Sequence, residues 1–146
     1  MRRTTILTVA MLLALLMASG VALAATINGT SRDDTLRGTS ASDKISGFGG
    51  RDTINGARGQ DTIYGGPGND TLNGGYDGDK MFGGSGQDFV DGGFGNDSIN
   101  VAGDGNLDSI ECGLGTDTAV VGREDLERAT FSDFVRATSC ENLIVR

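Results

Sequence analysis

Eight aspartates, Asp34, Asp43, Asp52, Asp61, Asp70, Asp79, Asp88 and Asp97, fall on an unbroken stride of nine residues. Glycines crowd in before them, as in "GGPGND", Gly65 to Asp70. Carboxylates are hard oxygen donors, and a glycine-rich backbone reaches dihedrals closed to most residues, so several of its carbonyls can face one point. A donor set made only of oxygens suits a hard divalent cation such as calcium, which takes about 6–8 oxygen ligands. Candidate ligands of the first rank are Asp52, Asp61, Asp70, Asp79, Asp88 and Asp97, with Gly50, Gly66, Gly68, Gly84, Gly86, Gly93 and Gly95 shaping the turns. Asp34, Asp43, Asp108 and Asp117 form a second rank. Catalysis has little to work with. The chain has no histidine, its carboxylates are committed to the repeat, and no serine stands in a nucleophile-elbow context. The expectation is a binding protein, not an enzyme.

The elements that position these carboxylates are legible two residues further on, where an apolar side chain recurs: Leu36, Ile45, Ile54, Ile63, Leu72, Met81, Val90 and Ile99. The unit is G-G-x-G-x-D-x-U-x, with U apolar, and "GGPGNDTLN", "GGSGQDFVD" and "GGFGNDSIN" meet it in full. Seven further aspartates on a fixed stride have a chance probability on the order of 10⁻⁷, which argues against a disordered Gly/Asp linker, since disorder constrains no stride. A three-residue strand x-U-x sends only its middle residue to one face, which accounts for one apolar position per nine. Ordering nine residues costs roughly 1–2 kcal/mol each, while burying one Leu or Ile returns roughly 1.5–3 kcal/mol. The apolar term alone cannot close that gap. A solenoid needing no metal is the alternative, but it should carry more apolar residues per strand and fewer carboxylates.

The array departs from the unit at both ends. After Asn100 the eleven residues "VAGDGNLDSIE" place Asp108 and Ile110 in register with an insertion, and "CGLGTDTAV" restores nine with Asp117 and Ala119. The first two units, "GTSRDDTLR" and "GTSASDKIS", keep the leading glycine, the aspartate and the apolar residue but lack the inner glycines. Such departures are expected where a stack must stop without offering a bare edge.

From Gly29 to Val120 the pattern resembles the repeats-in-toxin family, whose nonapeptide is a calcium-binding β-helix signature. The resemblance implies an all-β, right-handed parallel β-roll in which x-U-x is a strand, the six residues before it turn, and two nonapeptides make one coil. It places calcium between turns of successive coils, held by carboxylates and glycine-turn carbonyls. With coils about 4.8 Å apart, the aspartates would stack at near-contact distances for like charges unless a cation intervenes. The best sites would then join Asp52 with Asp70, Asp70 with Asp88, Asp61 with Asp79, and Asp79 with Asp97. In "GGYDGDKMF", Asp77 replaces the fourth-position glycine and either adds a carboxylate or spoils the turn.

The first 24 residues read as a secretory signal peptide: Arg2 and Arg3, an apolar run from Ile6 to Met17, then small residues at Ala22 and Ala24. Family members commonly use an uncleaved C-terminal export signal, so this is a departure, although calcium met outside the cell would still trigger folding. Removing 24 of the 146 residues leaves 122, one domain by length, with a net charge near −10 once Arg2 and Arg3 leave the total of −8. That acidity argues against nucleic acid and anionic membranes as partners and for cations. The expected organisation is a signal peptide at 1–24, a β-roll at 25–121 and a C-terminal cap at 122–146, the last carrying Leu126, Phe131, Phe134, Val135, Leu143, Ile144 and Val145. Cys112 and Cys140, the only cysteines, are expected to form a disulfide between cap and last coil in an exported chain. The expected protein is a secreted monomer binding several calcium ions. The alternatives are a calcium-stiffened structural or adhesive surface module, whose cell-surface or glycan partner would be unknown, and an accessory fragment of a larger exoprotein. The outward third position, Ser31, Ser40, Gly49, Arg58, Pro67, Tyr76, Ser85 and Phe94, offers no regular Thr or Asn row for ice, and leaves Tyr76 and Phe94 as contact candidates.

Overall fold

The computed structural model describes residues 22–101, 103–123 and 140–146. Twelve strands are defined among them: β1 (Thr26–Asn28), β2 (Thr35–Arg37), β3 (Lys44–Ser46), β4 (Thr53–Ala57), β5 (Thr62–Pro67), β6 (Thr71–Tyr76), β7 (Lys80–Ser85), β8 (Phe89–Phe94), β9 (Ser98–Asn100), β10 (Ser109–Glu111), β11 (Thr118–Val121) and β12 (Asn142–Val145). Odd-numbered strands and β12 form one parallel sheet in the order β1-β3-β5-β7-β9-β11-β12, and even-numbered strands form the other, β10-β8-β6-β4-β2. The chain therefore alternates between two sheets as far as β11, and each strand up to β9 pairs with the one two along. The register is 18 residues, as in Ile63↔Met81 and Leu72↔Val90. This is the β-solenoid expected of a β-roll, with two nonapeptides per coil.

The insertion after Asn100 is absorbed without loss of register. Phe89 pairs with Ser109 and Ser98 with Thr118, each 20 residues on, so Val90 still stacks on Ile110 and Ile99 on Ala119. The core is the two apolar columns: Ile45, Ile63, Met81, Ile99 and Ala119 on one sheet, Ile54, Leu72, Val90 and Ile110 on the other, all buried. Ile27 and Leu36 in the first coil are only partly buried, since no strand among the described residues lies beneath them.

Two features differ from the sequence reading. Strands β5 to β8 run six residues, into the leading glycines of the following nonapeptide, because Gly66 pairs with Gly84, Gly75 with Gly93, and their third-position neighbours Pro67 with Ser85 and Tyr76 with Phe94. Side-chain-free positions let the backbones stay in ladder contact through half of the turn. The inward face also carries more than one residue per nonapeptide. Along "DTIYG", Asp61, Ile63 and Gly65 are buried while Thr62 and Tyr64 are partly exposed, the alternation of an extended chain. The aspartates therefore face the interior.

The third and ninth positions build outward columns. Tyr64 stacks on Phe82 with ring centroids 4.9 Å apart, and Tyr76 on Phe94 at 5.1 Å. Lys44 and Arg58 cover the free faces of Tyr64 and Tyr76 at 5.6 and 5.7 Å. At the C-terminal end Cys112 and Cys140 are joined in a disulfide, their Cα atoms 5.3 Å apart. Strand β12 extends the odd sheet by pairing Thr118 with Asn142 and Val121 with Val145. Leu143, Ile144 and Val145 remain exposed, so the described part of the expected cap closes the sheet through its backbone and not by burying these side chains. Most of the expected signal peptide, and Leu126, Phe131, Phe134 and Val135 of the cap, lie outside the described residues.

Candidate metal centre

Each turn is built from a few local rules. The second and fourth positions need a left-handed backbone: Gly66 and Gly68 have φ of 110° and 148°, Gly84 and Gly86 116° and 126°, Gly93 and Gly95 91° and 135°, and Gly50 107°. Glycine takes these values without steric cost. Where the central units depart in sequence, the backbone does not: Phe48, Ala57 and Asp77 keep φ of 74°, 82° and 74°. Asp77 thus preserves its turn, helped by the tolerance of aspartate for this region. Its Oδ2 accepts a hydrogen bond from the Gly59 amide one coil back, at 3.1 Å.

The first glycine is required for space. A β-carbon on Gly65, Gly74, Gly83 or Gly92 would sit 2.5 Å from the Oδ2 of Asp70, Asp79, Asp88 or Asp97, respectively, and would be nearer still for Gly47 with Asp52 and Gly56 with Asp61. The carbonyl one coil further on closes the same space, Gly65 O lying 2.6 Å from such an atom on Gly47 and Gly92 O 2.5 Å from one on Gly74. A carboxylate oxygen and a carbonyl oxygen from successive coils therefore converge on these first glycines, except at Gly83, where Val101 Cγ1 lies nearer than any carbonyl.

The other carboxylate oxygen is engaged in a ladder along the solenoid. The amide of Asp52 donates to Asp70 Oδ1 at 2.8 Å, that of Asp70 to Asp88 Oδ1 at 2.9 Å, that of Asp61 to Asp79 Oδ1 at 2.8 Å, and that of Asp79 to Asp97 Oδ1 at 2.8 Å. The four pairings expected between turns are thus in hydrogen-bond contact, as are their neighbours along the array. Asp108 and Asp117 continue the ladder, accepting from Asp88 and Asp97 at 2.9 and 2.8 Å, and Asp43 precedes it, its amide donating to Asp61 Oδ1 at 2.7 Å. A second ladder runs outside, where Asn69 accepts from Gln87, Asn96 from Thr116 and Asp33 from Arg51.

The Oδ2 atoms of Asp52, Asp61, Asp70, Asp79, Asp88, Asp97 and Asp117 are buried and receive no hydrogen bond. A carboxylate oxygen buried without a donor is costly, and the usual remedies are protonation or a bound cation. Burial, reinforced by neighbouring carboxylates one coil away, pushes Asp61, Asp70 and Asp97 from the ordinary 3.8 to about 6 and Asp79 to about 7, against the lowering effect of the amide hydrogen bonds. Asp88 and Asp117 are raised for the same first reason. Among the described residues no three acidic, histidine or cysteine side chains converge on one point. An ion here must draw on backbone carbonyls to complete its shell, which suits calcium's preference for mixed carboxylate and carbonyl oxygen. The residues fit the ion.

Residues 28–63 and 64–99 each match the model of the RTX calcium-binding nonapeptide repeat, four copies at a time. This array belongs to the RTX calcium-binding nonapeptide repeats. No curated protein and no solved structure matches the chain. Within the RTX array, sequence reasoning found the aspartates and the left-handed glycines but missed Gly47, Gly56, Gly65, Gly74, Gly83 and Gly92. The signal was present, since the first position is glycine in every nonapeptide from Gly29 to Gly92, including those whose inner glycines are lost.

Proposed function

We propose that this chain is a secreted calcium-binding β-roll that folds when several ions enter between the turns of successive coils. The donor-free Oδ2 column carries this proposal, because in the turns of Asp52, Asp61, Asp70, Asp79 and Asp97 the buried oxygen faces a first glycine and a carbonyl of the next coil. Bound calcium would supply positive charge among stacked carboxylates. Asp52, Asp61, Asp70, Asp79, Asp88 and Asp97 would hold it together with turn carbonyls, while the first glycines keep side chains out. The lack of histidine and the engagement of the carboxylates in the ladder support a binding role without catalysis. The N-terminal apolar run and the cysteine pair support export to a calcium-rich, oxidising environment. Circular dichroism tests the proposal: chelated protein should be coil-like and should gain strand signal as calcium returns in the ~10⁻⁴–10⁻³ M range. Equal strand content with and without chelator would refute it.

One observation favours an additional surface-contact role. Arg58, Tyr76, Phe94 and Leu114 stand in one outward column, and the last three are at least half exposed. Calcium-dependent attachment to cells or glycan beads that is lost in Tyr76→Ala/Phe94→Ala would support the adhesive role, and no attachment would leave ion binding alone.

A further inference from the structure

The ends of the array treat the repeated carboxylate differently from its centre. In the first turn Thr30 occupies the second position, and its amide and hydroxyl donate to Asp34 Oδ2 at 2.6 and 2.8 Å. In the second, the Thr39 amide donates to Asp43 Oδ2 at 2.6 Å and its hydroxyl to Oδ1 at 3.2 Å. Both hydroxyls also accept from the fourth-position amide, Arg32 at 3.2 Å and Ala41 at 3.1 Å. The threonine thus ties the carboxylate of its turn to the fourth-position amide. Central turns lack this arrangement. Their second residue has positive φ even where it is Phe48 or Ala57, and no amide reaches the Oδ2 of Asp52 to Asp97.

The C-terminal end uses a different device. Val101 and Cys112 take the place of the first glycine in the turns of Asp108 and Asp117, and both are buried. Each therefore carries a β-carbon where a central turn has none, and Val101 Cγ1 also reaches back over the preceding coil, 3.1 Å from a β-carbon built on Gly83. Cys112 is further committed to Cys140. Glu141 replaces the next aspartate of the ladder, accepting from the Asp117 amide at 2.7 Å.

Resting on the calcium-binding role proposed above, we infer that ions are confined to the four central pairings, Asp52 with Asp70, Asp70 with Asp88, Asp61 with Asp79, and Asp79 with Asp97. The turns of Asp34 and Asp43 hold threonine donors in place of an ion, and the turns of Asp108 and Asp117 are filled by apolar and disulfide side chains. Asp43 is then a structural residue, a revision of its second-rank ligand status in the sequence reading, and Asp117, although its Oδ2 is donor-free like the central ones, is denied an ion by Cys112 in place of the first glycine.

The test is calcium stoichiometry by native mass spectrometry on the full chain folded in calcium. Asp43→Asn and Asp117→Asn should each bind as many ions as the wild type, Asp61→Asn should lose one, and Asp79→Asn, shared by two pairings, should lose two. Thr39→Gly/Ala41→Gly rebuilds a central-type turn beside Asp43 and should add one ion. An ion lost from Asp43→Asn or Asp117→Asn, or no ion added in the double variant, overturns the confinement while leaving calcium binding standing. A wild type that takes up no calcium overturns both.

Discussion

A β-carbon on Gly65 would sit 2.5 Å from Oδ2 of Asp70, so a side chain at residue 65 and the carboxylate in its present place exclude each other. Gly65→Ala should therefore raise the calcium concentration needed for folding about tenfold or more, equivalent to roughly 1.4 kcal/mol. Gly49→Ala is the matched control: its β-carbon meets only ordinary contacts, 3.6 Å from Pro67 O, at a φ that needs no glycine. Calcium titrations followed by circular dichroism compare the two, and equal midpoints would remove the steric account of the first glycine.

Asp70→Ala should weaken calcium-induced folding far more than Asp34→Ala. Asp70 accepts the Asp52 amide and stands in two central pairings, so its loss strands a buried donor, costing about 1–3 kcal/mol, besides removing ion ligands. Asp34 contacts only the threonine of its own exposed turn through its carboxylate. Titrations giving the reverse order would break the turn pairing.

Stability without calcium should fall as pH rises. Asp61, Asp70, Asp79 and Asp97 are raised by burial from 3.8 to about 6, 6, 7 and 6, so the folded chain holds protons that the unfolded chain has released. Their contribution is fully present below about pH 4 and is lost as pH climbs through about 6 to 7. Chelated protein, coil-like near neutral pH, should then recover strand signal at pH 4.5 relative to pH 7.5. With calcium present the order should invert, because protons compete for the same oxygens. A chelated sample more stable at pH 7.5 would contradict the assigned burial.

The Cys112–Cys140 disulfide closes a 28-residue separation. The chain-entropy model gives it ~3.5 kcal/mol. Cys112→Ser/Cys140→Ser should lower the denaturant midpoint by a corresponding amount while leaving strand content in calcium near that of the parent, since the bridge is made at the C-terminal end of the array. Loss of all strand signal would show that the end seeds the array.

The stride of Asp34 to Asp97 and the apolar residue two places on were enough to read the solenoid and the register of its core, because repetition every nine residues leaves few ways to bury one side chain per unit. The same stride marked the carboxylates as ion ligands by type. It did not separate Asp43 from Asp61, which share the same D-x-U context, because the difference lies in Thr39, whose φ and hydroxyl decide whether the turn is closed by a donor.

By itself, then, the sequence determined the two-nonapeptide coil, the facing columns of Ile63 with Met81 and Leu72 with Val90, and the oxygen-only character of the turns, since each follows from local period and residue chemistry. Only the tertiary structure decided that the aspartates point inward, that Oδ1 joins a ladder while Oδ2 of the central turns stands without a donor, and that the first glycine is needed for room and the second for backbone conformation. It also sorted the third positions into two columns, which brought Tyr76 over Phe94. These are relations between residues 18 apart in the chain and neighbours in space, and no property of a single nonapeptide encodes which of its atoms the next coil will satisfy.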